Sequence, residues 1–178
     1  MIDFEVTLHA QPDAPLVLGD NKDGTMAIRL AQWMAMPHKN QGGGANITGQ
    51  SNNVATASSS AGHIINSTGQ RDNDTWGKRA DWCDYYSEHN GKTYGVAIFD
   101  HPQNIRHPTW WQVRDYGLFG ANPFGQHDFE NLKDQPHIGD YTIPAGGSLT
   151  LQYRFYFHNG DAQAAKIAEH YAEYTSEK

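Results

Sequence analysis

Most of this chain alternates apolar and polar residues with a period of two, the pattern of half-buried β-strands. Ile2, Phe4, Val6 and Leu8 are interleaved with Asp3, Glu5, Thr7 and His9. Leu16 to Leu18 is a short apolar run, and Met26, Ile28 and Leu30 alternate with Ala27, Arg29 and Ala31. Strand signals return at His63 to Ile65 and around Trp76 to Tyr86. His89-Asn90-Gly91 predicts a hairpin turn, since Asn-Gly accepts the positive φ that tight hairpins need. Tyr94, Val96 and Ile98 form the returning strand, and Trp111, Val113 and Asp115 the next. After the turn Pro144-Ala145-Gly146-Gly147, Leu149, Leu151, Tyr153, Phe155 and Phe157 make the clearest strand, with Thr150, Gln152, Arg154, Tyr156 and His158 on its other face.

One helix is expected to close the chain. Asp161 is its N-cap, and Ala164, Ile167, Ala168 and Tyr171 fall at helical spacing. Lys178 adds a cation at the favourable end of the helix dipole. Many strands, one helix and Gly-rich turns predict an all-β fold, an antiparallel β-sandwich or barrel with a C-terminal helix on one edge.

Residues 37–62 break the periodicity. Their Gly, Asn and Ser content (GGGANITGQSNN, ATASSSAG) predicts a long flexible loop within a single domain spanning residues 1–178. A disordered insertion explains such composition without any ligand, and is favoured over a lid above a pocket. The chain begins inside its first strand with no charged-then-apolar leader, so truncation at the N-terminus is expected. That would leave a sheet edge open to self-association.

Composition narrows the function classes. No apolar run approaches the length of a membrane span, and the mean hydropathy is −0.72, so no membrane partner is expected. The formal charge of −7 disfavours nonspecific nucleic-acid binding, which depends on neutralising phosphates. It allows a neutral or cationic ligand, or an anion held by a local arginine cluster. The single cysteine, Cys83, excludes an intrachain disulfide and reads as a small core residue. The compartment is not legible.

The candidate chemistry is densest in FDHPQNIRHPTWWQVRDYGLFGANPFG, residues 99–125. Charged groups are rarely buried unpaired, and aromatics beside fixed polar groups often line ligand pockets. His101 and His107 are the acid–base candidates, because histidine titrates near neutral pH. Their spacing matches neither one helical face nor one strand face, so no metal or other cofactor is expected. Arg106 and Arg114 could grip a carboxylate or phosphate bidentately, or equally staple loops to the sheet through nearby aspartates. Trp110 and Trp111 point to opposite faces of a regular strand, so one can enter the core while the other lines a cleft. An aromatic face stacks on the apolar face of a sugar, which favours a carbohydrate or other small-molecule ligand.

Asn122, Arg79, Lys22 and Arg29 complete the expected binding set. Asp20, Lys22 and Asp23 lie in a polar turn, GDNKDG, that lacks the pattern of a calcium loop. Asn66-Ser67-Thr68 fits the glycosylation sequon, a short pattern that often arises by chance.

Three long stretches, GQRDNDTWGKRADW, VAIFDHPQNIRHPTWWQVRDYGLFGANPFG and YTIPAGGSLTLQYRFYFHNGDAQAA, resemble the DUF6807 family over nearly the whole chain. That family often carries the automatic label "methane oxygenase PmoA", which would imply a metal-dependent oxygenase. The closing PAGGSLTLQYRFYF strand is similar to the last strands of galactose-mutarotase-like supersandwich proteins. This second resemblance implies a supersandwich-like fold and a protein that binds or processes carbohydrate. A non-catalytic ligand-binding module is the alternative. In either case His101, His107, Arg106 and Arg114 are expected to converge on one hollow beside an exposed tryptophan.

Overall fold

The computed structural model describes residues 1–37 and 61–177. Most of the loop predicted over residues 37–62, and Lys178, therefore lie outside the described residues. The fold is an antiparallel β-sandwich. One layer, sheet A, has the order β1–β10–β6–β5–β4. These strands are β1 (Ile2–His9), β4 (His63–Asn66), β5 (Trp82–His89), β6 (Lys92–Asp100) and β10 (Ser148–Asn159). The opposite layer holds sheet C, with β3 (Met26–Arg29), β8 (Leu118–Asn122) and β7 (Trp110–Val113) in the order β3–β8–β7. A short ribbon, sheet B, pairs β2 (Leu16–Leu18) with β9 (Tyr141–Ile143).

The register explains the layering. β1 and β10 place Phe4 opposite Tyr153, Val6 opposite Leu151 and Leu8 opposite Leu149, so two alternating strands present one apolar face. That face joins Cys83, Tyr85, Val96 and Ile98 of sheet A to Trp111, Val113, Phe119 and Ala121 of sheet C. Cys83 is a core residue, and burial pushes its thiol pKa well up. The predicted hairpin at Asn90-Gly91 joins β5 to β6, with both residues at positive φ.

The helical elements depart from expectation. Asp161 accepts hydrogen bonds from the Gln163 and Ala164 amides, at 3.1 and 2.9 Å, but this caps an isolated turn. Lys166 is left-handed, with φ of 53°, and breaks the helical path. The closing helix, α2, then runs Ile167–Ser176. One further helical turn, α1, spans Gln126–Phe129. The expected strand around Trp76 begins only at Trp82, because Asp72–Thr75 is a 3-10 turn.

α2 covers the outer face of sheet A, where Ile167, Tyr174 and Ala165 pack on Ala97 and Phe99 in a second apolar cluster. Gly95 belongs to that outer face. A Cβ there would collide with the His158 ring, so glycine makes room for the imidazole beside β6.

Candidate functional site

The outer face of sheet C gathers most of the expected site residues. β7 turns Trp111 and Val113 into the core, so Trp110, Gln112 and Arg114 share the opposite face. β7 and β8 place Trp110 beside Asn122 and Gln112 beside Gly120. β8 and β3 place Gly120 beside Ala27 and Leu118 beside Arg29. Ala27 is exposed and Gly120 has no side chain, so the middle of the face is a low shelf.

The segment from Trp76 to Ala80 pairs along the free edge of β7. Gly77 donates to the Trp111 carbonyl (2.9 Å), Trp111 to Lys78 (3.1 Å) and Ala80 to Thr109 (3.2 Å). This added extended segment carries Trp76 and Arg79 to the β7 strip. The Arg114 guanidinium lies 4.5 Å above the Trp76 ring, and that of Arg79 lies 4.6 Å above Trp110. Between the two stacks, Gln112 is 3% exposed. Its side-chain oxygen accepts from Trp76 Nε1 at 2.6 Å, and its amide donates to Asp23 at 3.4 Å. Buried indole and amide groups need partners, and here they satisfy each other.

The remaining residues of the expected set have distinct roles. Arg29 lies 5.2 Å from the centre of the Tyr116 ring. Lys22 reaches Asp128 at 3.8 Å. Asn122 is fully buried; it donates to the Asn21 carbonyl at 2.7 Å and accepts from the Phe124 amide at 2.9 Å, anchoring the polar turn beside the face. Asp20 accepts from the amides of His127 and Gly139, so it ties that turn to the α1 region.

His107 stands at the Arg79 end of the strip. Its Nδ1 is 2.7 Å from Asp100 Oδ2, and its Nε2 is 3.4 Å from Asp81. Asp100 is fully buried and also accepts from the Thr109 amide (2.9 Å) and the Asn104 side chain (2.8 Å). Three hydrogen bonds fix this carboxylate, so it orients the imidazole rather than moving with it. Arg79 donates to the carbonyls of Pro108 and Arg106, at 2.8 and 3.0 Å, which ties the His107 loop to the Trp110 end of the face.

The expected convergence of His101, His107, Arg106 and Arg114 on one hollow does not occur. Arg106 donates to the carbonyls of Pro123 (2.9 Å), Gly139 (2.5 Å) and Asp140 (3.0 Å), so its fork is filled by loop backbone. His101 packs edge-on against Tyr174 of α2, with ring centres 5.2 Å apart, and accepts from the Gln103 amide. Trp111 is fully buried, donates to the Ala80 carbonyl at 2.9 Å, and has no face open for stacking. Arg114 lies on the outer face of β7 with Trp76.

The sequon asparagine, Asn66, is 1% exposed and accepts from the Thr68 and Gln70 amides, so its side chain is buried beneath a turn rather than open as an acceptor. Among the described residues no group of three or more His, Cys, Asp or Glu is placed to hold a metal ion, and no helix is long and apolar enough to cross a membrane.

The family model described as "Family of unknown function (DUF6807)" matches residues 1–172. The chain belongs to this family. No curated protein and no solved structure matches it. Because the DUF6807 description carries no activity, function must be argued from the side chains themselves.

Two polar clusters of this DUF6807 chain were not legible in its sequence. Arg154 of β10 grips Asp3 through Nε and Nη2 (2.5 and 2.8 Å) and Glu177 through Nη1 and Nη2 (2.8 and 2.6 Å), above the Tyr174 ring. The guanidinium holds both carboxylates below their usual range. His158 Nε2 meets Asp84 at 2.8 Å, with both side chains buried, and burial pushes the Asp84 carboxyl up. The alternation places Arg154, His158 and Asp84 on outer faces, and only that much could have flagged them. Their partners lie 151, 23 and 74 positions away.

Proposed function

We propose that this DUF6807 protein binds carbohydrate on the outer face of sheet C. The observation that supports this reading is the strip on β7, where two indoles and two guanidiniums flank a buried amide beside a low, exposed shelf. Trp76 is only half-buried and Tyr116 is 46% exposed, so aromatic surface remains open next to the polar groups. Stacking on the apolar face of a sugar, with amide and guanidinium donors reading its hydroxyls, uses such a combination.

The test is a glycan array probed with the purified protein, followed by Trp76→Ala. A retained glycan whose affinity drops about tenfold or more in the variant is expected. No retained glycan, or unchanged affinity in a folded Trp76→Ala protein, refutes the reading.

A second reading adds catalysis to binding, and the placement of His107 between Asp100 and Asp81 favours it. Asp100 fixes one ring nitrogen and leaves Nε2 toward the half-exposed Asp81, an arrangement suited to moving a proton. This reading predicts that a bound sugar is converted, and that His107→Ala abolishes conversion while leaving binding in place. Product formation that survives in His107→Ala would remove the histidine from the chemistry.

A further inference from the structure

Resting on the sheet C reading, we infer that the ligand is an acidic saccharide whose carboxylate is held by Arg29 and Arg114. The two arginines stand in one row across the sheet. Arg29 is paired with Leu118, and the Arg114 amide donates to the Leu118 carbonyl at 2.8 Å. Two strand spacings put their backbones roughly 10 Å apart. That is within reach of one carboxylate bridged from both sides, or of two carried on neighbouring sugar rings.

What sets these two apart is how the other arginines are used. The chain has six arginines. Arg154 holds two carboxylates, Arg79 and Arg106 donate to backbone carbonyls, and the Arg71 charge acts on the Tyr86 hydroxyl. Arg29 and Arg114 also lie over rings, of Tyr116 and Trp76, but among the described residues their guanidiniums make no side-chain hydrogen bond. Among the described residues neither forms an ion pair with a carboxylate.

A guanidinium laid on an aromatic face is weakly hydrated and held flat, and its fork stays directed for bidentate capture of a carboxylate. In a chain of formal charge −7, two such cations on one face, without a carboxylate partner among the described residues, favour an anionic ligand over a neutral one. Asp23, bonded to Gln112 on the same face, is the acidic group that would accept sugar hydroxyls beside them. Indole and phenol backing suits a ring-bearing anion better than a bare inorganic one.

The experiment is an array of neutral glycans and uronate-bearing glycans, the latter as free acids and as their methyl esters, so that matched pairs differ only in charge. The free acid is expected to bind about tenfold more tightly than its ester, with an affinity that falls as salt rises. Arg29→Gln and Arg114→Gln should each remove most of that difference between acid and ester. Arg29 is exposed, so its variant folds without loss of packing, and a thermal melt of both variants checks this.

Equal binding of acid and ester, or an acid preference that survives both substitutions, overturns the inference and leaves the sheet C reading in place. Retention of no glycan of either kind overturns both.

Discussion

Arg154 on the outer face of sheet A and Arg114 on the outer face of sheet C each hold a guanidinium 4.5 Å above an aromatic ring. Beyond that they differ. Arg154 is closed in by Asp3 from β1 and Glu177 from just beyond α2, and its side chain is only 10% exposed. Arg114 is half-buried, and among the described residues no carboxylate reaches it. Sheet A buries a second polar pair, Asp84–His158, on its outer face. One outer face holds its charged groups against internal partners, while the other keeps Arg29 and Arg114 backed by rings, with no carboxylate partner among the described residues. The contrast separates a face whose charges are answered internally from the face on which we propose that a ligand binds.

The comparison can be broken most decisively at Asp84–His158. If sheet A is the sealed face, His158→Ala leaves a buried carboxyl without its imidazole and should cost roughly 3–5 kcal/mol in urea unfolding. A cost below about 1 kcal/mol would mean that this face is not sealed by its polar pairs.

A smaller effect is expected at the two arginines. Arg154→Ala should lower stability by about 1–3 kcal/mol, discounted because Asp3 and Glu177 are largely exposed. Arg114→Ala loses mainly a cation–π contact and should cost under about 1 kcal/mol. Equal losses in parallel melts would show that both faces are structural.

The smallest effect is in acid. Arg154 depresses the Asp3 and Glu177 carboxyls below their usual values of 3.8 and 4.5. A carboxyl depressed in the folded state stabilises fully above its unfolded value and loses that contribution as pH falls through the folded one. Asp84, raised by burial, acts in the opposite sense and gains relative stability as pH falls. The Arg154 contribution should therefore vanish only below about pH 4, so unfolding curves of wild type and Arg154→Ala should converge there. Curves that stay parallel down to pH 2 would assign the loss in Arg154→Ala to packing rather than charge.

Much of the fold was legible because strand alternation is a local signal. Ile2 to Leu8 and Leu149 to Phe157 have long uninterrupted alternation, and both form strands with the expected apolar face. β8 and β9 escaped because Leu118-Phe119-Gly120-Ala121-Asn122 is short and Gly-broken, and Tyr141–Ile143 spans three residues. The helix start was misplaced because Asp161 is a good cap for whatever turn follows it, and the left-handed Lys166 that delays α2 has no sequence signature. At the site, the opposition of Trp110 and Trp111 followed from alternation alone. The capture of Arg106 by three loop carbonyls did not, since backbone acceptors carry no letter.

By itself, then, the sequence decided which side chains share a strand face, because pleating converts adjacency into direction within a few residues. Only the tertiary structure decided which charges are answered. Electrostatic partners are chosen by distance in space, and Arg154 found its own 151 and 23 positions away. The same packing left Arg29 and Arg114 with rings behind them and no carboxylate in front among the described residues.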